Sequence, residues 1–354
     1  MKVSVIGAGS WGTALSQVLA NNGHNVGLWA RKPEVVKAIN SEHKNPRYLS
    51  DVELNPDIVA TLSYRDTLLR ARAAVIVTPS TLVRGAARAL ADVVDSDFPV
   101  IVCSKGIEEG SGLLPIDILD AEMGNRSRFA VLSGPNHAEE VVRGVPAATV
   151  IASESPDTAA FFQEMFACES FRAYTSEDAC GVELCAAFKN VVAIAVGMSY
   201  GLGFGDNTAA LLVSRGLAEM SRLVVACGGN AITCMGLAGT GDMVATCMSH
   251  HSRNRTFGDY GKGSLYANNL LFCALAGALW YSQFFGFGIG QTFFEPGSVV
   301  AAFAWCILMA LNVTFSNVWG IILREWRGVS AKTVGVLVCG LAILIFSLVF
   351  PNLF

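Results

Sequence analysis

The chain of 354 residues has room for about two domains; with 15% charged and 52% hydrophobic residues it holds less charge than the roughly 25% usual in soluble enzymes. Its net charge of −4, with no basic run long enough to follow a phosphate backbone, excludes nucleic acid as a partner. Ten cysteines, at 103, 168, 180, 185, 227, 234, 247, 273, 306 and 339, form no C-x-x-C pair and stand near no His at ligand spacing, which predicts reduced thiols and no metal site.

The chain opens on a β-branched run, 3–6, with no signal-peptide core ahead of it, so a cytoplasmic setting is expected for roughly the first 260 residues. The stretch "KVSVIGAGSWGTALSQVLANNGHNVGLWARK" then sets Gly7, Gly9 and Gly12 between that strand and an amphipathic stretch, 13–21, before a second strand at 25–29. A G-x-G-x-x-G between strand and helix is a dinucleotide signal. Gly7 permits the turn, Gly9 admits a pyrophosphate to the backbone, Gly12 lets helix and strand pack, and the helix N-terminus offers N–H groups to the anion.

Where an acid would hold a ribose 2′-hydroxyl, the second strand ends Trp29-Ala30-Arg31-Lys32. Two readings stand: the cations receive the 2′-phosphate of NADP, or they are solvated surface charges. NADP or NAD is the expected cofactor. Further apolar runs, "AAVIVTPS", "FPVIVCSKG" and "RFAVLSGP", end in small-residue turns and predict a doubly wound parallel sheet, with Lys105 and Gly134 at strand ends, where ligands bind.

From about 182 the texture is helical. "VELCAAFKNVVAIAVGMSYGLGFGDN" sets a single cation, Lys189, among apolar residues, where burial depresses its pKa and suits it to proton exchange; a snorkelling or paired lysine is the plain alternative. In "GLAGTGDMVATC", Asp242 and Thr246 are four apart and share a helix face, although Asp242 also reads as a cap. "HHSRNRTFG" concentrates Arg253, Asn254 and Arg255 either as a phosphate clamp or as a solvated basic turn. His250 and His251 adjoin with no third ligand near them, so no metal is expected.

Taken together, "VIGAGSWGTALSQVLANNGH", "SKGIE", "SGPNHAEE", "FKNVVAIAVGMSYGLGFGDN", "RGLAEMSRL", "GLAGTGDM" and "SRNRTFG" resemble, in order and spacing, the bacterial NAD(P)-dependent sn-glycerol-3-phosphate dehydrogenase family over about 1–258. The resemblance implies that Lys189 is the catalytic lysine, polarising the C2 carbonyl of dihydroxyacetone phosphate as hydride arrives. It implies substrate contacts at Lys105, Gly134, Asn136, Asp242, Ser252, Arg253 and Asn254, to which Thr246 is added from Asp242's helix face. The implied cofactor positions are Ser10, Trp11, Arg31 and Ala138 beside the three glycines, with Lys105 and Arg253 able to touch both ligands. Asn136-His137 departs from the family's hydroxyl residue and Phe. The family's later helices, including an acidic segment that closes over the cofactor, are not visible after "SRNRTFG".

Instead, 270–294, 298–323 and 333–350 are apolar runs of about 25, 26 and 18 residues with no internal charge, long enough to span a bilayer. Arg253, Arg255 and Lys262 precede the first, and Arg324, Arg327 and Lys332 join the second to the third, which keeps the enzyme portion in the cytoplasm and puts Phe354 outside. "FCALAGALWYSQFFGFGIGQT" and "FSNVWGIILREWRGVSAKT" resemble the last spans of the L-rhamnose-proton symporter family, over about 265–354. Gln283, Gln291, Asn312 and Asn317 read as interhelical hydrogen-bonding residues or, in a complete carrier, as sugar-path residues.

The expected whole is an α/β doubly wound Rossmann-type domain over 1–180, a truncated all-α substrate domain over 181–260, and about three transmembrane helices at the cytoplasmic membrane. Its expected partners are a small-molecule substrate and the lipid bilayer, with a homodimer permitted by an uncovered apolar helical face. Three functions remain open: a tethered dehydrogenase, an impaired fusion that only binds nucleotide, and a fragment of a sugar-proton symporter.

Overall fold

Strands β1 (Lys2–Ile6), β2 (Asn25–Trp29), β3 (Ile58–Thr61), β4 (Ala74–Ile76), β5 (Val100–Val102), β6 (Phe129–Ser133), β7 (Ala147–Ala152) and β8 (Phe171–Ser176) form one sheet in the order β3-β2-β1-β4-β5-β6-β7-β8. The structure is a computed structural model that describes residues 1–249 and 252–259. Helices α1 (Ser10–Asn21), α2 (Pro33–Glu42), α3 (Tyr64–Leu68), α4 (Val83–Ala91), α5 (Pro115–Met123), α6 (Ala138–Val141) and α7 (Pro156–Phe166) connect the strands. The order reverses between β1 and β4, so a crevice opens beside the end of β1, where an open α/β sheet binds its ligands.

Period-two alternation puts the strands' residues into two separate cores. Val3, Val5, Val75, Ile101, Ala130 and Leu132 face α1, α2 and α7, whose Leu15, Leu19, Ile39, Phe162 and Phe166 are fully buried. Ile6, Ile76, Val100, Val102, Phe129 and Val131 face α4 and α5 through Val83, Leu90, Ile116 and Leu119. Burial on both faces explains why these strands read as continuous apolar runs.

The expected parallel sheet is present from β1 to β6, and one pair beyond the strands expected from the sequence departs from it. β6 and β7 pair antiparallel, Val131 against Ala152 and Ser133 against Val150, while β7 and β8 are again parallel. The connection over 134–146 holds only the single-turn helix α6, too little for the crossover that a parallel pair requires, so the chain turns back. Strands β3, β7 and β8 also lie outside the apolar runs singled out in the sequence. β8 is an edge strand with Arg172 and Tyr174 exposed and Phe171 and Ala173 buried.

The chain then becomes helical: α8 (Ala179–Gly201), α9 (Asp206–Ala226), α10 (Ala231–Met235), a π-helical turn Leu237–Gly241, α11 (Asp242–Met248) and α12 (Arg253–Asp259). Asp178 caps α8 by accepting from Gly181 N–H at 2.8 Å, and it also accepts from Asn230 N–H and Thr233 Oγ1, tying the start of α8 to that of α10. Leu184, Val192, Val196, Val213, Met220 and Met243 form a third core. Gly197 and Gly258 allow α12 to cross α8 closely: a Cβ at Gly258 would stand 2.3 Å from the Ile194 oxygen.

Among the described residues α8 alone is long and apolar enough to cross a membrane, yet most of its apolar window is buried inside the protein. The three apolar runs of 270–350, the symporter resemblance, Lys262, His250 and His251 lie outside the described residues.

Candidate active site

The glycine turn follows β1. Gly7 has φ +125°, and a Cβ there would meet the Val77 oxygen at 2.6 Å; a Cβ on Gly12 would meet the Gly7 oxygen at 1.8 Å. Both positions therefore require glycine on steric grounds. Gly9 differs, since a Cβ there meets nothing within 4 Å. The turn thus presents open backbone at Gly9 and the unpaired first-turn N–H groups of α1, beginning at Ser10. Trp11 Nε1 is buried without a hydrogen-bond partner among the described residues. Ala138 opens α6, buried against α1. Arg31 is exposed just after β2, and Lys32 Nζ lies 3.9 Å from Glu34 Oε1. An open cradle at Gly9 on a helix N-terminus fits the pyrophosphate of a dinucleotide.

Across the crevice, residues far apart in the chain converge on Asp242, whose side chain is 2% exposed. Lys105, in the loop after β5, donates from Nζ to Asp242 Oδ2 at 2.7 Å and to the Gly134 carbonyl at 3.3 Å. Lys189, on α8, donates to Asp242 Oδ1 and to Thr246 Oγ1 at 2.8 Å. The Thr246 hydroxyl donates to the Asp242 carbonyl at 2.6 Å, and Ser133 Oγ stands 3.4 Å from Asp242 Oδ2. Asp242 is no helix cap; its carboxylate bridges two ammonium groups.

Burial drives the Lys189 pKa down, the nearby Lys105 charge adds to the fall, and Asp242 only partly offsets them, leaving it at about 7. Burial by itself would raise the Asp242 carboxyl, but the Lys105 and Lys189 charges and hydrogen bonds outweigh it and hold the group below its ordinary value. The outcome is a deprotonated carboxylate beside a lysine that exchanges its proton near neutrality.

Asn254 joins from α12, donating to Asn190 Oδ1 at 2.7 Å next to Lys189. Ser252 is buried, accepting from Arg255 N–H at 3.2 Å, and Arg253 is exposed at the start of α12. Asn136 is turned to the sheet: Nδ2 donates to the Ala148 carbonyl at 2.9 Å, and Oδ1 is buried without a partner among the described residues. Lys105, Gly134, Lys189, Asp242 and Thr246 therefore form one hydrogen-bonded cluster, Asn254 reaches it through Asn190, and Asn136 and Arg253 stand apart from it. The Lys105 loop is held by Arg84, which forks Glu108 at 2.8 and 2.5 Å.

Several residues of this region escape sequence reading. Asn190 is hidden beside the more conspicuous Lys189. Glu183, fully buried on α8, accepts from Ile116 N–H at 3.1 and 3.3 Å and so caps α5 from another element. The described cysteines are all free, with Cys185 and Cys234 Sγ 3.7 Å apart in the helical core, and the described residues hold no metal-ligating group.

Comparison with known proteins is consistent along most of this length. Family models described as NAD-dependent glycerol-3-phosphate dehydrogenase N-terminus and C-terminus match residues 2–159 and 178–269. Glycerol-3-phosphate dehydrogenase [NAD(P)+] of Halalkalibacterium halodurans is 45% identical over 264 residues, 74% of this chain and 76% of that protein. The protein of the same name from Pelotomaculum thermopropionicum is 45% identical over 259 residues, 73% of this chain and 74% of its own length. The crystal structure of glycerol-3-phosphate dehydrogenase from Coxiella burnetii superposes with a TM-score of 0.70 at 35% identity, covering 76% of this chain and 83% of that one. The yeast Saccharomyces cerevisiae enzyme gives a TM-score of 0.66 at 28% identity, over 77% and 85% of the two chains.

Proposed function

The chain belongs to the NAD-dependent glycerol-3-phosphate dehydrogenase family, and from that premise we propose how its residues carry the reaction. The activity is the reversible NAD(P)-dependent reduction of dihydroxyacetone phosphate to sn-glycerol 3-phosphate. The observation that carries the mechanism is the buried Lys189–Asp242–Lys105 cluster.

A dinucleotide held at the Gly7, Gly9 and Gly12 turn would supply hydride chemistry at C2, donating in one direction and accepting in the other. Lys189 ammonium donates to the C2 carbonyl oxygen, drawing charge toward that oxygen, and gives up its proton as the alcohol forms. In reverse, the neutral amine takes the C2 hydroxyl proton. Asp242 and Thr246 hold Nζ in place, and Lys105 adds positive charge beside the substrate. Arg253, Asn254 and Ser252 bind the phosphate, and the turn at Gly7, Gly9 and Gly12, with Ser10, Trp11, Arg31 and Ala138, binds the cofactor. Asn136 supports this region from its place against Ala148.

Residues of about 265–354 anchor the enzyme to the cytoplasmic membrane, with the catalytic part inside. The support is three charge-free apolar runs with basic flanks. These runs serve as a tether that keeps the catalytic part beside the membrane. Exposed apolar side chains on α8, α9 and α10, namely Val191, Leu211 and Ile232, favour a homodimer.

The test is oxidation of NADH and NADPH with dihydroxyacetone phosphate by full-length protein in detergent. Turnover that vanishes in Lys189→Ala supports the reading. Cofactor binding without turnover favours the nucleotide-binding fusion instead, a reading prompted by alignments that cover only 76% of the Halalkalibacterium relative. Release of the protein from membranes by salt or carbonate, without detergent, would remove the tether.

A further inference from the structure

Asn45 lies in the loop between α2 and β3 with no exposed surface. Its Nδ2 donates to the Ala8 carbonyl, inside the glycine turn, at 3.1 Å, and to Thr13 Oγ1, in the first turn of α1, at 2.9 Å. Its Oδ1 accepts from the Arg47 and Tyr48 N–H groups at 3.2 and 3.3 Å. Both donors and both acceptor sites of this amide are used. One side chain thus fastens residues 45–48 to the backbone beside the cofactor cradle.

The fastening places Arg47. Its exposed guanidinium has Nη1 3.7 Å from Glu34 Oε1, and that same oxygen lies 3.9 Å from Lys32 Nζ. Arg31 and Lys32 leave the carboxyl end of β2, where the 2′ position of an adenosine ribose falls. An acid at that point takes a 2′-hydroxyl, and a cation takes a 2′-phosphate. Here the acid is Glu34, a little further on in the first turn of α2, and Arg47, delivered from a different segment, both offsets its charge and offers a fork for a phosphate.

We propose that Arg47, held in place by Asn45, sets the preference of this enzyme for NADP over NAD, with Glu34 as its opponent. The inference rests on the cofactor site proposed above and identifies what that site discriminates.

The experiment compares full-length protein with Arg47→Ala, Arg47→Lys and Glu34→Gln, using NADH and NADPH in separate assays with dihydroxyacetone phosphate. Arg47→Ala is expected to lower the ratio of kcat/KM for NADPH to that for NADH about tenfold or more, the loss typical of one charge-assisted contact. Arg47→Lys keeps the charge but not the fork and should fall between. Glu34→Gln should move the ratio the other way, an opposition that a merely structural role would not produce. Asn45→Asp, lacking both donors, should weaken the two cofactors together, because the turn it braces meets the pyrophosphate they share.

The same ratio, read as dissociation constants from quenching of tryptophan fluorescence, does not depend on turnover. A wild type that binds with the expected shifts but does not turn over counts against the dehydrogenase reading alone. An Arg47→Ala ratio equal to wild type, by rate and by binding, overturns the assignment of Arg47.

Discussion

Lys189 and Asp242 stand 53 positions apart in the chain and on different helices, yet the lysine donates directly to the aspartate in a pocket where both side chains are closed to water. The pair links α8 to α11, and Lys105 binds the opposite carboxylate oxygen from the sheet domain. The carboxylate is therefore a joint between α8, α11 and the Lys105 loop, held ionised by the two ammonium groups.

Replacing Lys189 with Met removes the proton donor while keeping most of the side-chain volume. We expect kcat for dihydroxyacetone phosphate reduction to fall by about 10²–10⁴, with NADH affinity, from fluorescence titration, within about threefold. In the wild type, with Lys189 near 7, reduction uses the protonated form and its rate declines as pH rises through that value. Oxidation of glycerol 3-phosphate uses the neutral form and rises over the same range. Parallel pH profiles in the two directions would contradict the assignment.

Asp242→Asn leaves two ammonium groups facing an amide in a buried site. The cost is expected to be about 3–5 kcal/mol of stability, as for other broken buried pairs. Burial then acts on Lys189 with no carboxylate to offset it, so its pKa falls further. The alkaline decline in the reduction rate should move to lower pH, which a pH–rate series on residual activity would show.

Gly9→Ala and Gly12→Ala separate cofactor binding from folding. The Gly9 φ of −76° suits alanine, and no protein atom obstructs the new methyl. The melting temperature without cofactor should hold or rise slightly, while the dissociation constant for NADPH increases, because the methyl occupies the approach to the backbone. Gly12→Ala strikes the Gly7 oxygen and should lose about 1–3 kcal/mol even without cofactor.

Burial raises the Glu183 carboxyl well above its ordinary value, and the Ile116 N–H bond only partly opposes the rise. The folded state keeps a proton that the unfolded chain has released above its ordinary value of about 4.3. The sign of the linkage follows: this contribution is whole below that value and is lost as pH rises toward the folded pKa. Glu183→Gln removes the loss, so its melting temperature should gain on wild type as pH rises above the ordinary carboxylate range toward the raised folded value. A difference that stays constant with pH would refute the account.

Much of the site could be read without coordinates because its signals are local. Gly7, Gly9 and Gly12 sit at the spacing that a strand–turn–helix needs, and the burial of β1, β4, β5 and β6 is written in their own apolar runs. Lys189 stands out because a lone charge in an apolar helix is conspicuous. Asn45 carries no such mark: followed by Pro46 it reads as an ordinary turn, and its value comes from Ala8 and Thr13, more than thirty positions away. Glu183 is similarly unremarkable until α5 is placed against it.

From its order of residues alone the chain determines the dinucleotide turn, the doubly wound sheet and the residue types available for catalysis, since those depend on contacts between near neighbours. Tertiary structure alone decided that Lys105 and Lys189 share the Asp242 carboxylate, that β7 runs against β6, and that Arg47 comes within 3.7 Å of Glu34. The reason is physical: a hydrogen bond or a pKa depends on what closes around a group, and here the closing groups come from other layers of the fold.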